Sequence, residues 1–322
     1  MKLISGSVYP ELATRTAEAL GIDVTPTEAK VFANSEQYVR IGNSVRGDKV
    51  FIIQSMAARN GKTVDESFVE TLLLVDAAKR ASAREITLIL PYLAYGRQDR
   101  KARGREPISS AAIIRALQSA GTDRIVSVDM HSAQMQAVFN GPFDHLTAEP
   151  EIKQALRAAI GNDNKENFVI VSPDAGRVKE AEEFSMALGV ETIHLPKIRK
   201  EGEIVRSHSI EGIEGKVAMI IDDMIDTAGT LVSAAEVLKQ AGATKIIVAA
   251  THGILSDPAT ERLQHSPIDH VIISDTIENS AAKEMLGEKL QIFSIHELLA
   301  NGIGRIADGG SVSDLFDGKN FK

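Results

Sequence analysis

Short apolar runs rich in Val, Ile and Leu recur along the chain at residues 50–54, 86–90, 125–128, 168–171, 217–221, 246–250 and 271–273. Each is continuous rather than alternating, the pattern of a strand buried on both faces. Between several of them, apolar positions recur with a helical period at 65–81, 109–120, 175–188 and 229–241, the last followed by Gly242. Buried strands interleaved with helices predict an α/β fold of mostly parallel sheets flanked by helices. Ligands in such sheets bind beyond the carboxyl ends of the strands. Chemistry is therefore expected in the residues just after each run.

The 322 residues accommodate two ordinary domains or one large α/β unit. A weak internal echo points the same way: ITLILPYLAYGRQDRK and ETIHLPKIRK each pass through Leu-Pro into a basic loop, while IVSVDMH and AMIIDDMID each end a strand in carboxylates. This order predicts two similar halves, 1–149 and 150–322, with the boundary near Pro150. Chance likeness among strand ends is the other reading of the echo.

Composition narrows the classes. With 43% hydrophobic and 25% charged residues, the chain is globular rather than disordered. A net charge of −8 supplies no global positive field for a nucleic acid, so any polyanion is expected to be small and locally bound. The absence of cysteine excludes disulfides, thiolate nucleophiles and thiolate metal ligands. The opening MKLISGSVYPELATRTAEALG holds too short an apolar stretch for a secretory leader, and no run of about 18 apolar residues predicts a membrane span. A cytoplasmic protein is the expectation.

The densest candidate chemistry is MIIDDMIDTAGT, residues 219–230. Asp226, Thr227, Ala228, Gly229 and Thr230 follow a buried strand and open a helix. Small residues there put backbone N–H groups and two hydroxyls where partial positive charge favours an anion. A plain helix cap by Asp226 and Thr227 is the alternative. Asp222 and Asp223, expected on opposite sides of the backbone and without a basic neighbour in sequence, are acceptors suited to vicinal hydroxyls. Phosphate donors beside diol acceptors point to a phosphorylated sugar, with room for a divalent ion on oxygen ligands.

IIDDMIDTAGT resembles the ribose 5-phosphate motif shared by type I phosphoribosyltransferases and ribose-phosphate diphosphokinases. The first group consumes 5-phospho-α-D-ribose 1-diphosphate (PRPP) and the second makes it; this motif alone does not separate them. Asp129 and His131 in VDMH, as Asp-x-His at a strand end, are expected on one side and could share a metal or a triphosphate. Their segment, DMHSAQMQAVF, resembles the diphosphokinase pattern Asp-x-His-x-x-Gln-x-Gln-x-Phe-Phe. SVRGDKVFIIQS, AYGRQDRKARGREPIS, SPDAGRVKEA, ATHGILSDPA and SVSDLF resemble further signatures of that family, in its order and along nearly the whole chain.

The resemblance implies two similar phosphoribosyltransferase-type domains, the last residues packing back on the first. It implies transfer of the diphosphoryl group of ATP to ribose 5-phosphate with Mg2+, giving PRPP for purine, pyrimidine, histidine and NAD synthesis. It puts Lys197 and Arg199 on the catalytic loop, Arg97, Gln98 and His131 at ATP, and Phe32, Asn34 and Glu36 at adenine, contributed by a neighbouring subunit. Asp129, His131 and Asp174 become the cation positions, and Asp222, Asp223 and residues 226–230 the ribose 5-phosphate site. Ser44, Arg46, Ser311, Ser313 and Phe316 fall on a regulatory site for phosphate and ADP in a homohexamer. The chain departs from the family pattern at Val138, Asn140 and Arg177, and SSAAI lacks a lysine often found there. Asn140 raises a second reading, a related subunit without catalysis; a phosphoribosyltransferase is the third.

Overall fold

The computed structural model describes residues 1–172, 177–195 and 210–318. In chain order the first strands and helices are β1 (Lys2–Ser5), α1 (Pro10–Leu20), β2 (Val24–Thr25), β3 (Thr27–Val31), β4 (Gln37–Ile41), β5 (Lys49–Ile53), α2 (Val64–Arg80), β6 (Glu85–Leu90), α3 (Ser109–Ala120), β7 (Arg124–Val128) and β8 (Phe143–Leu146). The second series is α4 (Glu149–Ile160), β9 (Phe168–Ser172), α5 (Val178–Leu188), β10 (Glu191–His194), β11 (Val217–Ile225), α6 (Gly229–Gln240), β12 (Lys245–Gly253), α7 (Ala259–His265), β13 (His270–Ser274), α8 (Ser280–Leu286), β14 (Leu290–Phe293) and α9 (His296–Ala307). The chain divides into two compact units. One comprises Met1–Thr147, Thr276–Glu278 and Ser294–Lys322; the other comprises Ala148–Asp275 and Asn279–Phe293.

Each unit holds a six-stranded parallel sheet. The orders are β2-β1-β5-β6-β7-β8 and β10-β9-β11-β12-β13-β14. With the antiparallel β3–β4 hairpin set aside, the two orders are the same, with the reversal of direction between β1 and β5 in the first and between β9 and β11 in the second. Such a reversal opens a crevice at the carboxyl ends of the two strands.

Continuous apolar strands bury both faces, as the pattern requires. In the second unit Val169, Val171, Ala218, Ile220, Ile246, Val248, Val271 and Ile273 pack with Leu231, Ala234, Ala235 and Leu238 of α6 and with residues of α7 and α8. The alternate positions Phe168, Ile170, Met219, Ile221, Ile247, Ala249 and Ile272 meet Ile152, Leu156 and Ile160 of α4 and Phe184 of α5. Each of these Val, Leu, Ile, Phe and Met side chains removed from water contributes about 1.5–3 kcal/mol. In the first unit Ile4, Val50, Ile52, Ile86, Leu88 and Ile125 pack on Leu74 and Val75 of α2 and Ile114 and Leu117 of α3. Helix α9 packs on α1, and its Gly302 comes within 3.3 Å of Leu146 at the position a Cβ would take. Among the described residues no helix is long and apolar enough to cross a membrane.

Two expectations need correction. The strand expected at 217–221 runs on to Ile225, its register with β12 continuing through Asp222↔Ala250 and Met224↔His252. Asp222 and Asp223 therefore lie within the sheet's edge rather than beyond it. The echoes also paired strands that are not equivalent. ITLIL is β6, fourth in its sheet, whereas ETIH is the edge strand β10; IVSV is β7, fifth, whereas AMIIDDMI is β11, third. The equivalent strands are β5 and β11. Ser5↔Ile53 closes the pairing of β1, and Val171↔Ile220 precedes the corresponding position of β9, which sets IIQSM (52–56) against IIDDM (220–224).

Candidate active site

At the end of β11 the two acidic side chains are gathered by one cation. Arg177, the residue before α5, donates from Nη1 to Glu180 at 2.7 Å, while its Nη2 lies 3.3 Å from Asp222 Oδ1 and in close contact with Asp223 Oδ1. Alternation along a strand would send neighbouring side chains apart. Here Asp222 and Asp223 converge on a single guanidinium, and Asp222 Oδ1 also accepts the Asp223 N–H at 2.9 Å. Asp223 is buried and Asp222 half-buried. Burial is the main cause that raises the Asp222 carboxyl, with Asp223 adding to it and Arg177 opposing it; the outcome is about 7. Burial alone would lower the Arg177 guanidinium, but Asp223, Glu180 and Asp222 outweigh it and hold the group above its ordinary value.

The loop after β11 turns through Ala228, which has φ 60° and ψ 0° and is the N-cap of α6. No side chain caps this helix, so its first turn presents backbone donors that a capped helix would satisfy internally. Thr227 and Thr230 are exposed, Asp226 and Gly229 half-exposed, and Ala228 is buried at 4%. Arg262 of α7 donates from Nη1 to the Thr227 carbonyl at 3.0 Å, and the same nitrogen lies 3.4 Å from the Cβ position of Gly229. Donors, two hydroxyls and a cation thus surround one helix start, and two carboxylates end the strand that leads into it. Sequence reasoning found neither Arg177 nor Arg262 as part of this group, since each arrives from a separate helix.

In the first unit the structure joins two of the expected segments. Arg97 and Gln98 lie in a short 3-10 turn (Gly96–Gln98) after β6, and both are exposed. The Cβ position of Gly96 is 3.2 Å from His131 Cβ and 3.4 Å from Met135 Sδ, so a larger residue would push the turn off the segment carrying His131. Ser132 Oγ donates to Asp99 Oδ2 at 2.7 Å across the same seam, and Ser109 Oγ donates to Gln98 Oε1. Asp129 and His131 do not obey strand alternation. β7 stops at Val128, and Asp129 takes φ 36°. Asp129 is buried 3.9 Å from His145 Nε2, whereas His131 is exposed. Among the described residues no group of three or more His, Cys, Asp or Glu is arranged to hold a metal ion.

Phe32, Asn34 and Glu36 form the tip of the β3–β4 hairpin. Phe32 N–H donates to Glu36 O at 2.8 Å, and Asn34 Oδ1 accepts from Glu36 N–H at 3.2 Å. Without the family, Phe32 reads as core; it is instead 46% exposed, edge-on to Tyr38 at 5.9 Å with Lys30 Nζ 5.8 Å from its ring. Ser44 and Arg46 flank the buried Val45 and are exposed. Ser311 is exposed, and Ser313 and Phe316 bound a 3-10 turn. Lys49 Nζ donates to the carbonyls of Ile306 at 3.3 Å and Ala307 at 2.7 Å, tying the start of β5 to the end of α9. Lys197, Arg199 and Asp174 lie outside the described residues. Asn140 is exposed and joined to Gln118 through its backbone N–H and carbonyl.

Parallel sheets with two carboxylates and the donors of an uncapped helix start at one strand's carboxyl end define an α/β protein of the class that takes its ligand at that edge. Residues 1–121 match the family model described as the N-terminal domain of ribose phosphate pyrophosphokinase, and residues 208–317 match the phosphoribosyl synthetase-associated domain. A ribose-phosphate pyrophosphokinase of Bifidobacterium longum is 44% identical, covering 98% of this chain and 92% of its own length; one of Corynebacterium glutamicum is 43% identical, covering 99% and 96%. The crystal structure of phosphoribosylpyrophosphate synthetase from Mycobacterium smegmatis superposes with a TM-score of 0.86 at 40% identity, over 96% of this chain and 99% of that one. The chain belongs to the ribose-phosphate pyrophosphokinase family.

Proposed function

We propose that this chain transfers the diphosphoryl group of ATP to the anomeric hydroxyl of ribose 5-phosphate, giving PRPP and AMP. The carrying observation is the likeness over almost the full length to ribose-phosphate pyrophosphokinases. A phosphoribosyltransferase would leave the first unit without a task, and a non-catalytic subunit has only Asn140 in its favour.

The reaction forms a bond from the anomeric oxygen to the β-phosphorus and breaks the bond from that phosphorus to the oxygen bridging to the α-phosphate. AMP leaves with the electron pair, and the hydroxyl gives up its proton. No covalent enzyme intermediate is needed, so the protein's work is alignment and charge stabilisation. In this reading the backbone donors of residues 227–230 hold the 5-phosphate, with Arg262 nearby. Asp222 and Asp223 accept from the ribose hydroxyls, and Asp226 positions the loop or touches sugar. Arg97, Gln98 and His131 face the ATP phosphates. Phe32 stacks on adenine while Asn34 and Glu36 read its edge, from a neighbouring subunit. Lys197 and Arg199 meet the transferring group.

Magnesium takes one or two carboxylates and completes its shell with water and phosphate oxygens. Asp129, at a strand end beside the loop assigned to ATP, fits that donor set, as does the carboxylate of Asp174. The imidazole of His131 fits it less well and suits a phosphate oxygen. When bound, the metal would neutralise charge on the triphosphate.

Ser44, Arg46, Ser311, Ser313 and Phe316 form an effector site for phosphate and ADP in a homohexamer, and the enzyme works in the cytoplasm. The tie from Lys49 to the end of α9 supports the neighbourhood of the two segments. The test is to incubate the purified chain with ATP, magnesium and ribose 5-phosphate. AMP and PRPP should appear in equal amounts; neither appearing with phosphate supplied overturns the assignment.

A further inference from the structure

Arg177 is the cation on which the acidic end of β11 converges. Asp223 is 8% exposed, and a buried carboxylate without a partner is costly. Two such groups on neighbouring residues repel each other and would separate to opposite sides of the strand. The guanidinium removes both difficulties at once, because its rigid fork of donors reaches Asp222 and Asp223 from one nitrogen and Glu180 from another. Glu180, in the first turn of α5, fixes the arginine from the opposite side. Each carboxylate has about four lone-pair positions, so contact with the arginine leaves acceptor capacity for hydroxyl donors.

We propose that Arg177 is a positioning residue of the sugar-phosphate site: it gathers Asp222 and Asp223 into one convergent pair of acceptors for vicinal hydroxyls. This role rests on the reading of the β11 end as the ribose 5-phosphate site. Arginine at 177, a departure from the family pattern, then acts on how tightly the sugar is held and leaves the nucleotide alone. Glu180 sets the arginine's direction and should have a smaller effect of the same kind.

Steady-state kinetics of the full chain test it, with wild type, Arg177→Ala, Arg177→Lys and Glu180→Gln assayed for PRPP and AMP. Loss of a charge-assisted contact to each carboxylate should raise the KM for ribose 5-phosphate about ten- to a hundredfold in Arg177→Ala. The KM for ATP should stay near wild type, while the unfolding midpoint of ligand-free Arg177→Ala should fall, because Asp223 is left buried without this cation. Arg177→Lys should recover part of the affinity through its point charge, and Glu180→Gln should shift the same KM by a smaller factor. An unchanged KM for ribose 5-phosphate in all three variants overturns the role, leaving a structural ion pair. A fall in that KM also overturns it, because the arginine would then be obstructing the site. If Arg177→Ala does not fold, the lysine and glutamine variants decide alone. Absence of turnover in wild type overturns the reaction itself and this role with it; turnover with unchanged KM values overturns the role only.

Discussion

At the reversal point of the first sheet, between β1 and β5, the protein fills the crevice with its own side chains. At the reversal point of the second, between β9 and β11, it places Asp222, Asp223 and an uncapped helix. Gln54 and Ser55 of the β5 end stand where β11 has the two aspartates. The Gln54 carboxamide lies within 2.5 Å of the Cβ position of Gly6, so any side chain there would have to displace this buried group, and its Oε1 accepts from Val8 N–H at 3.2 Å. Buried Glu70 accepts from Ser7 N–H at 2.8 Å and Ser7 Oγ at 2.7 Å, and pairs with Lys62 at 3.1 Å. A carboxylate of the fold thus occupies donors that an anionic ligand would otherwise take.

The helix starts differ in the same sense. Thr63 and Glu66 close α2 with a reciprocal capping box, whereas α6 begins at left-handed Ala228 with no side-chain cap. Counted from the two N-caps, the position of Glu70 in α2 is that of Ala235 in α6, which is buried in the core. One topology carries both crevices. The first edge pairs these polar groups within the fold, whereas the β11 edge sets two carboxylates beside a helix start that has no side-chain cap.

The largest expected effect comes from writing the first edge into the second. Asp222→Gln with Asp223→Ser replaces both charged acceptors with neutral ones, and a hydrogen bond to a charge is worth about 1.5–3 kcal/mol, so kcat/KM for ribose 5-phosphate should fall by roughly 100-fold or more. The KM for ATP should move little. Activity within a factor of three of wild type would mean that the two edges do not differ in the way described. The mirror test lies in the first unit. Glu70→Gln takes the charged partner from Lys62, which is 14% exposed and keeps its hydrogen bond to Gln37 at 3.0 Å, and should destabilise the protein by roughly 3 kcal/mol in urea denaturation. A loss below about 1 kcal/mol would show that Glu70 is not the internal counterpart of a ligand.

A smaller effect comes from the proton on Asp222. Its carboxyl is raised from an ordinary 3.8 to about 7, first by burial and then by Asp223, against the pull of Arg177. The folded state therefore holds the proton more tightly than the unfolded one. The resulting stability is complete below the ordinary value and is lost as pH rises through about 7. Over the same interval the carboxylate gains its full acceptor strength for a hydroxyl. A carboxyl chemical-shift titration should show Asp222 ionising near neutrality, and Asp222→Asn should flatten the fall in stability between pH 4 and 7. An Asp222 midpoint below 5 would break the account of the pair.

What the chain disclosed on its own was whatever lies in a continuous run. Buried parallel strands show as unbroken apolar stretches, and MIIDDMIDTAGT keeps strand, carboxylates and helix start within twelve residues. Arg177 was hidden because its partners come 45 and 46 positions later and its nearest sequence neighbours say nothing of β11. The hairpin of β3 and β4 escaped because β3 is mostly exposed and β4 sets only the half-buried Val39 and Ile41 against the core, too short an alternation to stand out as a strand. The kinship of β5 and β11 was masked by the very substitutions that distinguish them. Gln54 and Ser55 carry no charge, so a search for repeated acidic strand ends matched β7 with β11 instead. The roles of Lys197, Arg199 and Asp174 belong to the family likeness and lie outside the described residues.

The finest contrast between the two helix starts is a single methyl. Ala228 holds a left-handed conformation that costs an L-residue about 1–2 kcal/mol, and glycine would remove that strain. Two terms oppose the gain. The Ala228 side chain is buried in the core of the second unit, and removing its methyl forfeits about 0.8 kcal/mol of burial. Glycine also loosens the unfolded chain by about 0.4–1 kcal/mol. The terms nearly cancel, so Ala228→Gly should lie within about 0.5 kcal/mol of wild type in denaturation while keeping the affinity for ribose 5-phosphate. Ala228→Val meets the same backbone with a β-branched side chain, for which φ 60° is a genuine outlier, and should lose stability by about 2 kcal/mol or more. Equal stability of the glycine and valine variants would show that the turn into α6 is not held in this conformation. The difference from the self-capped start of α2 would then rest on the missing side-chain cap alone.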